Sequence, residues 1–237
     1  MDETSSRYLD AFNAIEKWLR DQTPGSERYD FPNLIDLVSE RHHGVRRHAS
    51  KLKELNRFRN FVVHDFSQNK AMAVPTTWAA DLISAVRREL LSPEPLLSFA
   101  AKPVATCQPS DPITLAVTKM RDGKFSQIPV CENSRCLGLL TAETIARWLS
   151  AELPVNGGLV EEQPISEVLA HQEDPDNHTF VNRSANVDEA LAAFEAFMAR
   201  GKRLDAVLIT QNGRSTEGLI GIVTINDVPT LTRSCLA

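Results

Sequence analysis

The second half of the chain repeats itself, and this constrains the fold more than any other feature. Between residues 97 and 237 one order of short β-branched runs and amphipathic helices occurs twice. The first copy opens on a leading strand near Val104-Ala105-Thr106 and a helix from Ile113 to about Arg121. It continues with strands over 126–130 and 136–141 and a helix over 142–149. The second copy has a leading strand at Thr179-Phe180-Val181 and a helix from Val187 to about Ala199. Its strands cover 205–209 and 219–224, and Asp227 opens a last short helix.

Residues 1–92 are of a different kind. Tyr8, Leu9, Phe12, Ile15, Trp18 and Leu19 recur at helical spacing. The stripe stops at Thr23-Pro24-Gly25-Ser26. Pro32 can open a second helix carrying Leu34, Ile35, Leu37 and Val38. Leu52, Leu55, Phe58, Val62 and Val63 mark a third, and Trp78, Leu82, Ile83, Val86 and Leu90 a fourth. The expectation is an α+β chain: an all-α antiparallel bundle over 1–92, a linker at Ser92-Pro93-Glu94-Pro95, and two β-α-β-β-α repeats over 97–153 and 164–237. Trp18, Trp78 and Trp148 sit on apolar stripes and are expected in cores.

Composition excludes several classes. Of 237 residues, 42% are apolar and 24% charged, as in ordinary globular chains. No apolar run approaches the roughly 18 residues of a membrane span, and the start Met1-Asp2-Glu3-Thr4 does not resemble a secretory leader. Cysteines 107, 131, 136 and 235 form no regular framework. Reduced thiols, a cytoplasmic address and no membrane partner are expected. The net charge of −5 arises wholly after residue 95. Within the balanced first part, residues 41–59 hold seven basic side chains and one acid, Glu54. Such a stretch can attract a polyanion such as RNA, or be a solvated helix face.

The sharpest local motif is Gly221-Ile222-Val223-Thr224-Ile225-Asn226-Asp227. Gly221 lets backbone approach a ligand. Thr224 precedes a helix, so its hydroxyl and nearby N–H groups suit a phosphate. Asp227 offers a carboxylate to both hydroxyls of a ribose. Thr224 can equally cap the helix, with Asp227 in its first turn; the two roles are compatible.

With its strand Ile128-Pro129-Val130, this repeat resembles a tandem pair of CBS domains, a Bateman module, over about 97–237. The resemblance implies a regulatory ligand: AMP, ADP, ATP or S-adenosylmethionine, with no metal. It implies a cleft formed by Ala105, Phe125, Ser126, Ile222, Thr224, Asn226 and Asp227, with Lys124 as a phosphate partner. The first copy departs from the pattern, for Thr144 stands where the ribose aspartate should be. Glu143 is one residue early, about 100° away on a helix. One good site and one weak or empty site are therefore expected, though Arg183, Lys202 and Arg203 can favour phosphates in the weak one.

The third helix carries Arg59-Asn60-Phe61-Val62-Val63-His64. In an all-α bundle this Arg-x4-His spacing resembles a HEPN domain, many members of which are metal-independent ribonucleases acting as dimers. That implies catalytic roles for Arg59, Asn60 and His64 and a homodimer. The residue types suit the chemistry: imidazole moves a proton near neutral pH, and guanidinium meets phosphate charge. Asn60 and His64 are one helical turn apart, whereas Arg59 and His64 are about 140° apart. The first expectation is an endoribonuclease gated by the nucleotide. The competing one is a non-catalytic nucleotide sensor whose helical domain serves dimerisation, partner docking or nucleic-acid docking. Cys131 and Cys136 span a predicted turn without a histidine pair, and His42, His43 and His48 lack a cysteine or acidic partner at a clear spacing, so neither set predicts a zinc site.

Overall fold

Local rules start the helices where the periodicity places them. In the computed structural model, which describes residues 2–64, 73–155 and 161–234, Asp2 accepts the Ser5 N–H at 2.7 Å and opens α1 (Glu3–Asp21). A 3-10 turn at Ser26–Arg28 follows. Asp30 accepts the Asn33 N–H at 2.9 Å and opens α2 (Phe31–Ser39), with Pro32 in its first turn. α3 runs from His43–His64, and Thr76 caps α4 (Thr77–Leu91). The chain folds as two compact units: Met1–Glu94 with Val187–Glu189, and Pro95–Asn186 with Ala190–Ala237.

The helices of the first unit share one core. Tyr8, Phe12, Ile15 and Leu19 of α1 meet Leu34, Ile35 and Val38 of α2, Leu52 and Leu55 of α3, and Ala80, Ile83 and Leu90 of α4. α1 packs chiefly along α4, and α2 along α3. Tyr8 ties α1 to α3: its hydroxyl donates to the Leu55 carbonyl at 2.8 Å, and its ring meets Phe58 edge-on at 5.6 Å. Burial pushes its phenol pKa up to about 12. Trp18 packs against this core. Trp78 does not: it is 71% exposed on α4, contrary to the expectation from its apolar stripe. Its neighbour Ala79 is the residue that turns inward.

α3 opens on a histidine. The Val45 N–H points at His42 Nδ1, 3.4 Å away, and the Trp18 ring lies edge-on at 4.9 Å. Burial holds the His42 pKa below its ordinary value. The folded imidazole therefore takes up a proton at lower pH than the unfolded chain, which binds one below about pH 6.5. Where the unfolded state binds more protons, stability rises with pH and is lost on acidification. The helical unit is expected to lose stability as pH falls from about 7 to 5, by up to about 1.4 kcal/mol per pH unit. Thermal melts of wild type and His42→Gln at both ends of that range check this; the variant should show a flatter response.

The second unit begins with a 3-10 turn at Leu96–Ser98. It continues through α5 (Ile113–Gly123), β1 (Gln127–Glu132), β2 (Arg135–Thr141), α6 (Ala142–Val155), α7 (Ile165–Leu169), β3 (His178–Val181), α8 (Val187–Ala199), β4 (Ala206–Ile209), β5 (Gly221–Thr224) and α9 (Val228–Ser234). β1 and β2 form an antiparallel hairpin. Asn133 and Ser134, both at positive φ (47° and 70°), make the tight turn between them. β3 runs parallel to β4, and β4 antiparallel to β5.

The expected leading strand over 104–106 does not form. One parallel bridge, Cys107 to Val130, stands in its place. The next N–H, of Gln108, is diverted to the Asp111 carboxylate at 2.8 Å, and Pro109 has none to offer. α7 was not expected from the sequence; at five residues it is too short to show a period. Among the described residues, no helix is long and apolar enough to cross a membrane.

Candidate functional site

Two structural devices shape a cavity of about 800 Å³ in the second unit. The first is the end of α5. Lys124 adopts a left-handed conformation (φ 56°), and the Phe125 ring folds over Gly123. A Cβ at Gly123 would lie 2.1 Å from that ring, so the position demands glycine. This fold-back places Phe125 and Ser126 on the cavity wall beside Arg121 and Lys124. Val117 and Met120 of α5, with Ile145 of α6, supply apolar surface.

The second device is the turn after β5. Thr224 donates both its N–H, at 2.8 Å, and its hydroxyl, at 2.9 Å, to Asp227. With the Thr224 side chain turned to the Asp227 backbone, the pair forms a capping box around a 3-10 turn over Ile225–Asp227. Both bonds, one from the backbone and one from the side chain of Thr224, fall on Oδ2. Oδ1 has no hydrogen-bond partner among the described residues. The capping role is thus present, and it also orients the carboxylate. The helix dipole contributes less than the sequence suggested, because α9 has only seven residues. Lys124 and Arg121 are exposed on the same wall, Arg121 paired with Asp122 at 2.9 Å.

Phe125, Ser126, Thr224, Asn226 and Asp227 all line this cavity. Ala105 and Ile222 are not among its lining residues: Ala105 is exposed, and Ile222 is 8% exposed among Leu139, Ala206 and Leu208. Ala101 takes that wall instead, held by a backbone bridge to Ile222. Gly221 serves the chain's own packing rather than a ligand, since a Cβ there would come within 2.9 Å of Ala100 Cβ.

The corresponding place in the first copy is built differently. Thr144 donates its N–H to Thr141 Oγ1 at 3.1 Å, and the two hydroxyls lie 3.0 Å apart. That is a threonine cap with no carboxylate in it. The cavity around it, about 520 Å³, is walled by ion pairs. Arg147 meets Glu143 and Glu173, Lys202 meets Asp174 and Asp176, and Arg203 meets Asp205. Burial raises the Asp205 pKa. Lys202 and Arg203 are thus already matched with carboxylates, and Arg183 lines a separate polar cavity with Ser184 and Asn212.

In the helical unit the basic stretch is largely engaged. Lys53 pairs with Asp36 at 2.6 Å, and Arg47 and His48 both reach Glu89. Arg46 donates to the Ser39 and Glu40 carbonyls at the end of α2, and Arg41 to that of Gln22. Lys51 and Arg57 are exposed. The Arg59 guanidinium lies over the Phe12 ring, 5.6 Å from its centroid, and Asn60 is exposed. His64 is the last residue of α3; its side chain, and Asp65, lie outside the described residues. Among the described residues, no group of histidine, cysteine and acidic side chains has metal-binding geometry.

Residues 97–151 match the CBS domain family. The match covers the α5–β1–β2–α6 copy, which supplies Phe125 and Ser126. Among solved structures the chain is similar to CBSX2 in complex with AMP: 17% identity over 61% of this chain and 99% of that one, TM-score 0.43. It is similar too to the CBS domain pair of protein MJ0100 in complex with 5′-methylthioadenosine and S-adenosyl-L-methionine (16%, 60% and 98%, TM-score 0.43). A CBS-domain containing protein from Agrobacterium tumefaciens gives 20% identity over 58% of this chain and 90% of that one, TM-score 0.42. No curated protein matches the sequence at a significant level.

Proposed function

We propose that this chain is a CBS-pair regulatory protein that binds one adenine-containing ligand, AMP, ADP, ATP or S-adenosylmethionine, in the Asp227 cavity. The observation that carries the reading is the Asp227 carboxylate, held through Oδ2 by Thr224 on the wall of the cavity. In this reading Asp227 takes the ribose hydroxyls, Phe125 and the α5 side chains meet the base, and Lys124 and Arg121 meet phosphate. The volume suits a nucleotide, since small-molecule sites span about 300–1,000 Å³. A ligand that binds only the folded state raises its melting temperature. AMP, ATP and S-adenosylmethionine, each added to the full chain, therefore test the reading. A rise with at least one supports it, and no rise with any at millimolar concentration overturns it.

The helical unit serves as the output. A HEPN-type, metal-independent endoribonuclease using Arg59, Asn60 and His64 in a homodimer is supported by α3 continuing unbroken to His64, which sets Asn60 and His64 one turn apart. The non-catalytic sensor is supported by Arg59 packing over Phe12 and by the internal partners of the 41–59 cations. The second set of observations favours the sensor, with dimerisation or docking of a partner or RNA as the role of the helices and a cytoplasmic setting. Incubating metal-free protein with labelled structured RNA beside His64→Ala decides between them. The sensor reading expects no cleavage with or without nucleotide; cleavage lost in the variant establishes the nuclease.

A further inference from the structure

The β1–β2 hairpin sets Cys131 directly opposite Cys136. Neither residue's N–H bonds across the pair. That of Cys131 donates to the Cys107 carbonyl and that of Cys136 to the Ser215 carbonyl, both at 2.8 Å. The two cysteines therefore face one another without exchanging backbone hydrogen bonds, and their side chains interact directly. A disulfide needs a Cα separation of about 4.4–6.8 Å. A register shift just before Cys131 breaks the regular pairing there.

A third residue stands near them on β3: His178, which favours the Cys136 thiolate and whose Nδ1 lies 3.1 Å from Asn177 Oδ1. The Cys136 thiol itself donates to the Gly138 carbonyl at 3.6 Å. The neighbouring Cys131 thiol, and then His178, hold the Cys136 pKa below its ordinary value, whereas Cys131 is pushed up and keeps its proton. Cys131 is half-buried and Cys136 only 6% exposed, packed with Leu139 and Leu208. Nothing in the proposed nucleotide site uses this group. Among the described residues no metal-binding cluster includes it.

We propose that Cys131 and Cys136 are a redox-active dithiol that a small hydroperoxide converts reversibly into a cross-strand disulfide. The Cys136 thiolate attacks the terminal oxygen of the hydroperoxide. The O–O bond breaks, the sulfur becomes a sulfenic acid, and the alkoxide or hydroxide leaving group takes a proton from water. The Cys131 sulfur then displaces hydroxide from the sulfenic acid, and its thiol proton leaves with that hydroxide as water. One S–S bond forms, two electrons pass from the thiols to the peroxide, and a reductant such as a dithiol reverses the change. His178 promotes the first step by favouring the thiolate.

The test uses reduced full-length protein treated with stoichiometric hydrogen peroxide, then alkylated, digested and mapped without reduction. The expected result is one linked peptide pair joining Cys131 to Cys136 with two hydrogens lost, restored by dithiothreitol and unaffected by Cys107→Ser. Both thiols remaining open to alkylation would overturn the proposal. So would sulfinic acid as the product at Cys136, or linkage mainly to Cys107, Cys235 or a second chain. His178→Phe should slow the reaction about tenfold near pH 6 and move its pH midpoint upward. A rate and midpoint equal to wild type would overturn the role assigned to His178.

Discussion

Replacing Asp227 with alanine should weaken binding of the adenine ligand by roughly 10–100-fold, because a hydrogen bond to a charged group is worth about 1.5–3 kcal/mol. The same change removes the acceptor for the Thr224 N–H and hydroxyl. It should therefore also cost about 1 kcal/mol of stability, the usual value of a lost cap. The two effects can be separated. Asp227→Asn keeps the shape and an oxygen acceptor for the cap but loses the charge, so it should retain most of the stability and still bind about tenfold more weakly or worse. Thr144, at the related position of the first copy, already lacks a carboxylate, and Thr144→Ala should leave affinity unchanged. Equilibrium titration of the three variants, with denaturant unfolding alongside, reads both quantities. Wild-type affinity in Asp227→Ala would remove the carboxylate from the account.

The second large effect separates two tryptophans. Trp148 is 3% exposed and packs with Ile113, Ile128, Val130, Leu140 and Val168 in the core of the first copy. Truncation to alanine leaves a cavity as well as losing apolar burial, and Trp148→Ala should cost about 3–5 kcal/mol. Trp78, 71% exposed, should change stability by no more than about 0.5 kcal/mol when replaced by alanine. Because the chain has two units, each variant should be judged on the transition of its own unit rather than on one overall midpoint. Equal destabilisation by the two changes would contradict the packing described above.

The contrast between these tryptophans shows where periodicity stops being informative. Both lie on apolar stripes, and a stripe locates a face only to within about one residue in a turn of 3.6. On α4 that face falls on Ala79, Ile83, Val86 and Leu90, and Trp78 is one step outside it. The strands and helices around the two hairpins were legible because strict alternation and β-branched runs bounded by turn residues have few other solutions. The Thr224–Asp227 turn was legible too, since a capping box is a local device with a local signature.

What was not legible depends on distant segments. The leading strand of the first copy has strand-forming residues but only one bridge, at Cys107; beyond it Asp111 takes the Gln108 N–H and Pro109 has none, so the pairing stops there. Ala105 and Ile222 were assigned to the cleft by resemblance alone; the local path of the chain presents Ala101 there. His178 reaches Cys136 only because β3 and β2 meet in space, and no spacing in the sequence announces it. The commitments of Arg46, Arg47 and Lys53 to the end of α2, to Glu89 and to Asp36 were hidden in the same way, so the charge run overstated the free positive surface.

The central claim is that one cavity, built on Asp227, takes one adenine ligand, while the cations of the Thr144 cavity are held by its own carboxylates. Calorimetric titration of the full-length chain with AMP, ATP and S-adenosylmethionine tests it most directly. The account predicts saturable binding of at least one of them with a stoichiometry of one per chain. Two equivalent sites per chain, or no binding by any of the three, would contradict it.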